Sequence, residues 1–227
     1  MKLSVVLPVY NEKNTIRQIV DLIEAVPVDK ELLIVDDGST DGTREIIQNF
    51  FSSRKDIRVI LHDKNKGKGA AVRTGIAAAE GDVIIIQDAD LEYNPSDYAK
   101  LLPVLSSEGV GAAYGSRFLG RHAVTTPWHR FVNFFLTALT NTLYGSRLTD
   151  METCYKMIRT PLLKQLALES SGFEVEVELT AKLLLAGEKI VEVPIAYKGR
   201  SFHEGKKIGW RDGLKGVSAL FRYRFFK

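Results

Sequence analysis

The sequence predicts an α/β fold built on a doubly wound, mostly parallel sheet with flanking helices. Three observations carry that expectation. Through the first half, short apolar runs alternate with stretches of helical periodicity, the pattern of strand, crossover helix and parallel strand. The run Val83-Ile84-Ile85-Ile86 is continuously apolar rather than alternating, as in a strand covered on both faces. The chain has 227 residues, 45% of them hydrophobic and 26% charged, which suffices to bury a core without disulfide or metal staples.

Leu3 to Val9 reads as the first strand, and Ile16, Ile19, Val20 and Ile23 then mark one face of a helix with Asn14 as its cap candidate. Glu31 to Asp36 is the second strand, followed by Ser39, Thr40 and Asp41 as cap candidates for a helix bearing Ile46, Ile47 and Phe50. A third strand, Ile57 to Leu61, leads through a Lys and Gly loop into an Ala-rich helix over about Gly69 to Ala79, closed by Gly81. Asp82 to Gln87 is the fourth strand. Beyond it the pattern predicts a helix near Ser96 to Leu105, a strand near Val110 to Ser116, a helix near Pro127 to Tyr144 and a strand around Cys154 to Ile158. A short helix after Pro161, a helix from Glu176 to Ala186, a strand from Lys189 to Ile195 and a terminal helix complete the chain. With no internal repeat, low-complexity tract or linker, one domain over 1–227 is expected, its halves meeting near residue 110.

The net charge of +3 is too small for a surface that grips nucleic acid. It is unevenly spread: from Lys206 to Lys227 seven basic residues face one acid, Asp212. Cys154 is the only cysteine, which excludes an intramolecular disulfide and a multi-cysteine zinc site and suits a reducing compartment such as the cytoplasm. Pro8, Asn11 and Glu12 interrupt the first apolar run before it reaches the length of a secretory signal, and no stretch is long enough to span a membrane. The stripe Trp128, Phe131, Phe134, Phe135, Leu136, Leu139 and Leu143 suits a core or a bilayer surface, core packing being the commoner use. Trp210 to Lys227, rich in aromatics and cations, suits either an ordinary solvated helix or one attracted to anionic lipid.

In an open parallel sheet, ligands bind outside the carboxyl ends of the strands. Four such ends carry Pro8-Val9-Tyr10-Asn11-Glu12, Asp36-Asp37-Gly38-Ser39, Asn65-Lys66-Gly67-Lys68-Gly69 and Asp88-Ala89-Asp90-Leu91-Glu92. On an extended segment Asp88 and Asp90 point the same way, and Glu92 continues the alternation as a third oxygen donor. Three carboxylates without His or Cys suit Mg2+ or Mn2+, with substrate phosphates as further ligands. A helix cap or turn is the plainer use of a lone Asp-x-Asp. Lys68 lies in a glycine loop that matches neither a P-loop nor a dinucleotide fingerprint, so phosphate contact and a plain helix entry both stand. Of the paired aspartates, Asp37 is read as the nucleotide contact and Asp36 as partly structural. His62, His122, His129 and His203 lack metal-ligand spacing; His203 alone is a candidate phosphate contact.

Together these strand ends resemble the inverting family 2 glycosyltransferases of GT-A type fold. Val6 to Glu12, Val35 to Asp41, Asn65 to Ala71 and Asp88 to Asp90 carry the likeness. Gly115-Ser116-Arg117, Leu148-Thr149-Asp150, Thr153-Cys154-Tyr155-Lys156 and the Glu176 to Lys182 helix resemble the branch of dolichyl and polyprenyl phosphate mannose or glucose synthases. The resemblance implies that Pro8, Tyr10, Glu12, Val35 and Asp37 line the base and ribose of a nucleotide sugar, GDP-mannose or UDP-glucose. It implies that Asp88, Ala89 and Asp90 hold metal and diphosphate, and that Arg117, Arg130, Arg200 and Lys206 face donor and acceptor phosphates. Glu92 stands where the mannose synthases carry glutamine. The implied activity is metal-dependent transfer of a hexose to a polyprenyl phosphate, with a nucleotide-sugar half over about 1–110 and an acceptor half over about 111–227. The implied location is cytoplasmic, peripheral on the inner face of a membrane.

A lipid monophosphate, with its second ionisation near pKa 6, is already a dianionic nucleophile at about pH 7 and needs no general base. A saccharide hydroxyl would need one, for which Asp150, Glu176 and Glu178 are the candidates. Their plainer uses are a cap or turn for Asp150 and a solvated helix face for the glutamates. A non-catalytic nucleotide-sugar-binding subunit is the reading from another class.

Overall fold

The apolar runs pair side by side and set the frame. β1 (Leu3–Val9) lies between β2 (Lys30–Asp36) and β4 (Val83–Ile86), with β3 (Ile57–Leu61) outside β2, all parallel. The computed structural model describes residues 1–120, 123–124, 127–199 and 210–226, the side chains of 123–124, 127–129 and 210–212 excepted. From the second half come β5 (Val110–Ser116), β7 (Lys156–Arg159) and β8 (Lys189–Pro194), giving the seven-stranded order β3-β2-β1-β4-β7-β5-β8. β7 runs antiparallel to both β4 and β5, while β8 is parallel to β5. The sheet is therefore mixed but mostly parallel. β6 (Ala123–Val124) and β9 (Tyr197–Lys198) form a separate two-stranded ribbon that residue patterning did not predict.

Alternation along β1 and β4 feeds two cores. Val5, Leu7 and Ile85 face α1 (Ile16–Glu24) and α4 (Tyr98–Leu105), burying Ile16, Ile19, Ile23, Leu101 and Leu105. Val6, Ile84 and Ile86 face α3 (Lys68–Ala78), α6 (Thr160–Gln165) and α7 (Val175–Leu185), burying Val72, Leu163, Leu179 and Leu183. Each such fully buried side chain contributes about 1.5–3 kcal/mol. α2 (Thr43–Phe50) buries Ile47 beside α1, and a 3-10 turn (Pro95–Asp97) leads into α4. A third cluster joins α5 (Pro127–Tyr144), α7 and α8 (Trp210–Phe225) through Leu136, Val177, Ala181, Ala219, Leu220 and Tyr223.

The caps differ from expectation in three places. Thr15, not Asn14, occupies the N-cap of α1, and its hydroxyl turns back to Glu12 rather than capping. Asp41 does serve α2, its Oδ1 accepting the Thr43 N–H at 3.0 Å, although Gly42 holds the N-cap position. Gly81 does not close α3; a Cβ there would lie 2.7 Å from both the Lys2 carbonyl and Ser4 Oγ, so the residue is small because β1 passes against it.

Glu176 and Glu178 were expected on a solvated face, but both are buried. Glu178 accepts the N–H groups of Glu169 and Ser170 at 2.8 and 2.7 Å and pairs with Lys182 at 2.8 Å. Burial alone would raise its pKa, but Lys182 and the Ser170 bonds hold it down at about 2. A depressed pKa contributes stability that is complete above the ordinary value near 4.5 and disappears as pH falls through about 2. Glu178→Gln is therefore expected to cost about 1–3 kcal/mol at neutral pH. Its deficit in thermal stability relative to the parent should shrink between those two pH values; a deficit independent of pH would refute the assignment.

Candidate active site

The carboxyl ends of β1, β2, β3, β4 and β5 lie on one edge, and because β7 is antiparallel its preceding residues, Thr153 and Cys154, reach that edge too. Pro8 pairs in register with Val35 where β1 and β2 end, with Tyr10 and Glu12 following in the loop. Asn11, at φ 52°, donates its N–H to Ser39 Oγ and accepts the Thr40 N–H, which locks the first two strand ends together.

Asp36 is buried and pairs with Arg44 at 2.6 Å, as its structural reading requires. Asp37 departs from its expected role. Its carboxylate is 2% exposed, accepts the N–H groups of Lys66 and Gly67 at 3.0 and 2.8 Å, and stands 2.7 Å from His62 Nδ1. With both oxygens so engaged, it pins the glycine loop to β2 instead of presenting itself to a nucleotide. Gly67 takes φ 94°, and a Cβ there would lie 2.3 Å from the Ser171 carbonyl, so only glycine fits. The loop delivers Lys68 as the first residue of α3.

Lys68 Nζ lies 2.8 and 2.9 Å from the two oxygens of Asp88, 3.3 Å from Cys154 Sγ and 3.3 Å from Glu176. Glu176 is shared with the wholly buried Lys156 at 3.0 Å. Burial opposes the charge on Lys68, but Asp88 and then Glu176 outweigh it, holding the ammonium well above the ordinary lysine range. Burial likewise pushes the Cys154 thiol up. Beneath this cluster, buried Gln87 accepts hydroxyl bonds from Tyr98 and Tyr155 at 2.7 and 2.8 Å and donates to the Asp88 carbonyl at 3.0 Å. It thereby fixes the peptide that carries Asp88-Ala89-Asp90. Asp90 Oδ1 accepts the Glu92 N–H at 3.1 Å across Leu91, which has φ 64°.

Glu92 does not join the aspartates as a third ligand: its Oε2 accepts the Tyr197 hydroxyl at 2.6 Å. Among the described residues no three His, Cys, Asp or Glu side chains are placed to hold one cation. Asp88 and Asp90, all-oxygen donors at a part-exposed strand end, fit the other mode, in which one or two carboxylates and substrate phosphates complete the shell of a small hard cation.

Across Tyr197 lies a basic pole. Arg117 follows β5, and its backbone N–H, Nε and Nη2 donate to Asp150 at 2.9, 2.7 and 2.7 Å. Its guanidinium lies 5.1 Å from the centre of the Tyr197 ring, and Asn133 of α5 donates to the same carboxylate at 2.8 Å. Burial would raise Asp150, but Arg117 overrides it and keeps the carboxyl below its ordinary range. Asp150 thereby anchors Arg117 through its backbone N–H and its guanidinium. Arg130 is exposed in the first turn of α5. Arg200, Lys206 and His203 lie outside the described residues.

Sequence reasoning missed Gln87, Tyr197 and Glu152, and gave Lys156 no role of its own within the motif Thr153 to Lys156. A polar residue ending the apolar run of β4 was the available signal for Gln87; the others gave none. Glu152, between Asp150 and Cys154, has its carboxyl pushed up by burial, with Lys156 and Arg117 offsetting only part of the shift.

The chain is similar to known proteins over most of its length. The family model described as glycosyl transferase family 2 matches residues 4–167. The dolichol-phosphate mannosyltransferase of Pyrococcus furiosus is 29% identical over 98% of this chain, which spans 62% of that relative's length. The polyprenol monophosphomannose synthase of Mycolicibacterium smegmatis is 30% identical over 90% of this chain and 80% of its own. The structure of glucosyl-3-phosphoglycerate synthase from Mycobacterium tuberculosis in complex with Mg2+ and uridine diphosphate superposes with a TM-score of 0.72 at 26% identity, over 98% of this chain and 79% of that one.

Proposed function

From a chain that belongs to glycosyl transferase family 2 and has the GT-A fold, we propose metal-dependent, inverting transfer of a mannose or glucose from a nucleotide diphosphate sugar to a polyprenyl phosphate. Membership of a glycosyltransferase family supports an active enzyme over the non-catalytic reading. The observation that carries the proposal is the pairing of two charged strand ends through Tyr197: the segment Asp88 to Glu92 after β4 reaches its hydroxyl through Glu92 at 2.6 Å, and the Arg117 guanidinium after β5 lies 5.1 Å from the centre of its ring. An acidic pole suits a cation with the donor diphosphate, and a fixed guanidinium suits a second anion.

Pro8, Tyr10 and Glu12 line the base and ribose, with the fully buried Val35 supporting Pro8 from the paired strand, and Ala89 spaces the two aspartates that face the diphosphate. A divalent cation, Mg2+ or Mn2+, bound there supplies Lewis-acid stabilisation to the leaving nucleoside diphosphate. Lys68 holds Asp88 in place through both its oxygens. Arg117 and Arg130 receive the acceptor phosphate and offset its repulsion from the donor, while Arg200 and Lys206 belong to a segment outside the described residues. The first half of the chain then serves the donor and the second half the acceptor. The acceptor oxygen needs only to be placed behind the anomeric carbon, because the phosphate is already ionised. Asp150, Glu176 and Glu178 are all engaged by cations, which suits a reaction without a protein base.

The test is transfer of labelled hexose from GDP-mannose or UDP-glucose, with manganese, to a short polyprenyl phosphate. A glycosylated lipid phosphate is the expected product; none with either donor would overturn the proposal. A hydroxyl acceptor is the second reading; its candidate base is Glu152, which lies in the chain between the Arg117 anchor Asp150 and the Lys68 neighbour Cys154 and whose carboxyl burial pushes up. Glu152→Gln separates the two. Transfer to phosphate should persist in that variant, whereas a loss on the order of a hundredfold or more would mark Glu152 as the base.

A further inference from the structure

We propose that the outer faces of α5 and α8 together form a docking surface for an anionic phospholipid bilayer. Leu214, Phe221 and Phe225 fall on one stripe of α8 and are 61%, 41% and 61% exposed, opposite the buried Ala219, Leu220 and Tyr223. Arg222 and Arg224 flank that stripe on its two sides. α5 repeats the pattern: Phe134 and Phe135 are 73% and 52% exposed, opposite the buried Leu136, Thr137 and Thr140, with exposed Arg130 at its start. A soluble helix buries one apolar face and wets the other; here both faces are apolar, with cations on the flanks.

The two helices pack on each other through Leu136, Leu220 and Tyr223, and the Tyr144 hydroxyl donates to the Leu220 carbonyl at 2.7 Å. The charge selects the occupant. α5 contains no acidic residue and α8 only Asp212, so a second copy pressing the same face would set cations against cations, whereas anionic headgroups attract them. Among the described residues no helix is long and apolar enough to cross a membrane, so the surface lies on the bilayer. The inner face of α5 reaches the site, since Asn133 donates to the carboxylate that anchors Arg117. A helix seated on lipid would therefore hold Arg117 on its far side, about one helix diameter (~10 Å) from the surface, so that a polyprenyl phosphate has to lift its anion by that distance to meet it; this consequence rests on the acceptor reading above.

The experiment is co-sedimentation of the full chain with phosphatidylcholine vesicles, with and without phosphatidylglycerol, in the absence of donor and acceptor. The parent should pellet with the anionic vesicles and be released by salt. Phe134→Ser with Phe221→Ser and Phe225→Ser should weaken partition on the order of tenfold, as should Arg222→Gln with Arg224→Gln. These side chains are exposed and their mutual contacts, the Phe221–Phe225 stack and the 3.7 Å Arg222–Glu169 pair, lie at the surface, so melting temperatures should stay within a few degrees of the parent. Partition of the variants equal to the parent's, or a parent that ignores vesicles and sediments as a dimer lost in the Phe variant, would overturn the proposal. Vesicle binding without transfer to any polyprenyl phosphate would sink the acceptor reading alone, and transfer by a parent that does not bind vesicles would sink the docking surface alone.

Discussion

Replacing Asp150 by alanine is expected to lower the melting temperature by on the order of 10 °C and to abolish transfer. The carboxylate is 0% exposed and accepts three bonds from Arg117 and one from Asn133. Its removal leaves a guanidinium that is itself only 12% exposed without a counter-charge. Breaking a buried pair in this way costs about 3–5 kcal/mol, because the surviving charge has lost its solvation and its partner. In a chain of this size each kcal/mol moves the melting temperature by about 2–4 °C. Loss of activity in that variant alone would not distinguish a binding role for Arg117 from collapse of the fold, so the informative comparison is Arg117→Met combined with Asp150→Asn. The double variant removes both charges, keeps an acceptor for Asn133 and the Arg117 backbone position, and should recover most of the stability. If Arg117 receives the acceptor phosphate, transfer stays lost in the refolded double variant with a raised KM for acceptor and an unchanged donor-induced thermal shift. Restored transfer would show that the pair only holds β5 to the segment before β7.

The contrast between fold and site lies in how far apart in the chain their determinants sit. β1 to β4 are legible because each is a local run, and Val83 to Ile86 announces burial on both faces by composition alone. The direction of β7 is not legible, since alternation along a strand is the same whichever way it runs, and the β6 and β9 ribbon has too few residues to show any period. The strand ends were legible as a set of chemistry-bearing residues because parallel topology delivers them to one edge. Which of them face a ligand was not, because that depends on pairings over long separations. Lys68 reaches Asp88 20 residues away and Cys154 86 away, and Arg117 meets Asp150 33 away. Asp37 illustrates the failure: adjacent to Asp36 and equally plausible as a ligand contact, it is consumed by the backbone of a loop 29 and 30 residues further on. The glutamates of α7 were misjudged for the same reason, since their cationic partners make burial affordable and none of that is visible in the helical period.

Asp90→Ala should lower kcat by about 10²–10³-fold or more while leaving the fold intact. The residue is part-exposed and its Oδ1 accepts the N–H of Glu92, a local bond whose loss should cost on the order of 1 kcal/mol. The catalytic loss follows from its position: Asp90 stands two residues after Asp88, whose oxygens are held by Lys68, at the strand end proposed to bind a cation carrying the donor diphosphate. A readout independent of turnover is the rise in melting temperature on adding a nucleotide sugar with manganese, since a ligand that binds only the folded state stabilises it by mass action. The parent should show a manganese-dependent rise with its donor, and Asp90→Ala should lose the manganese-dependent part. Glu92→Gln supplies the contrast, because a glutamine oxygen can still accept the Tyr197 hydroxyl and keep the β9 contact; it should retain both transfer and the metal-dependent shift. If instead Glu92→Gln loses the shift and Asp90→Ala keeps it, the cation is held by the outer carboxylate, and the segment from Asp88 to Glu92 must rearrange when the donor binds.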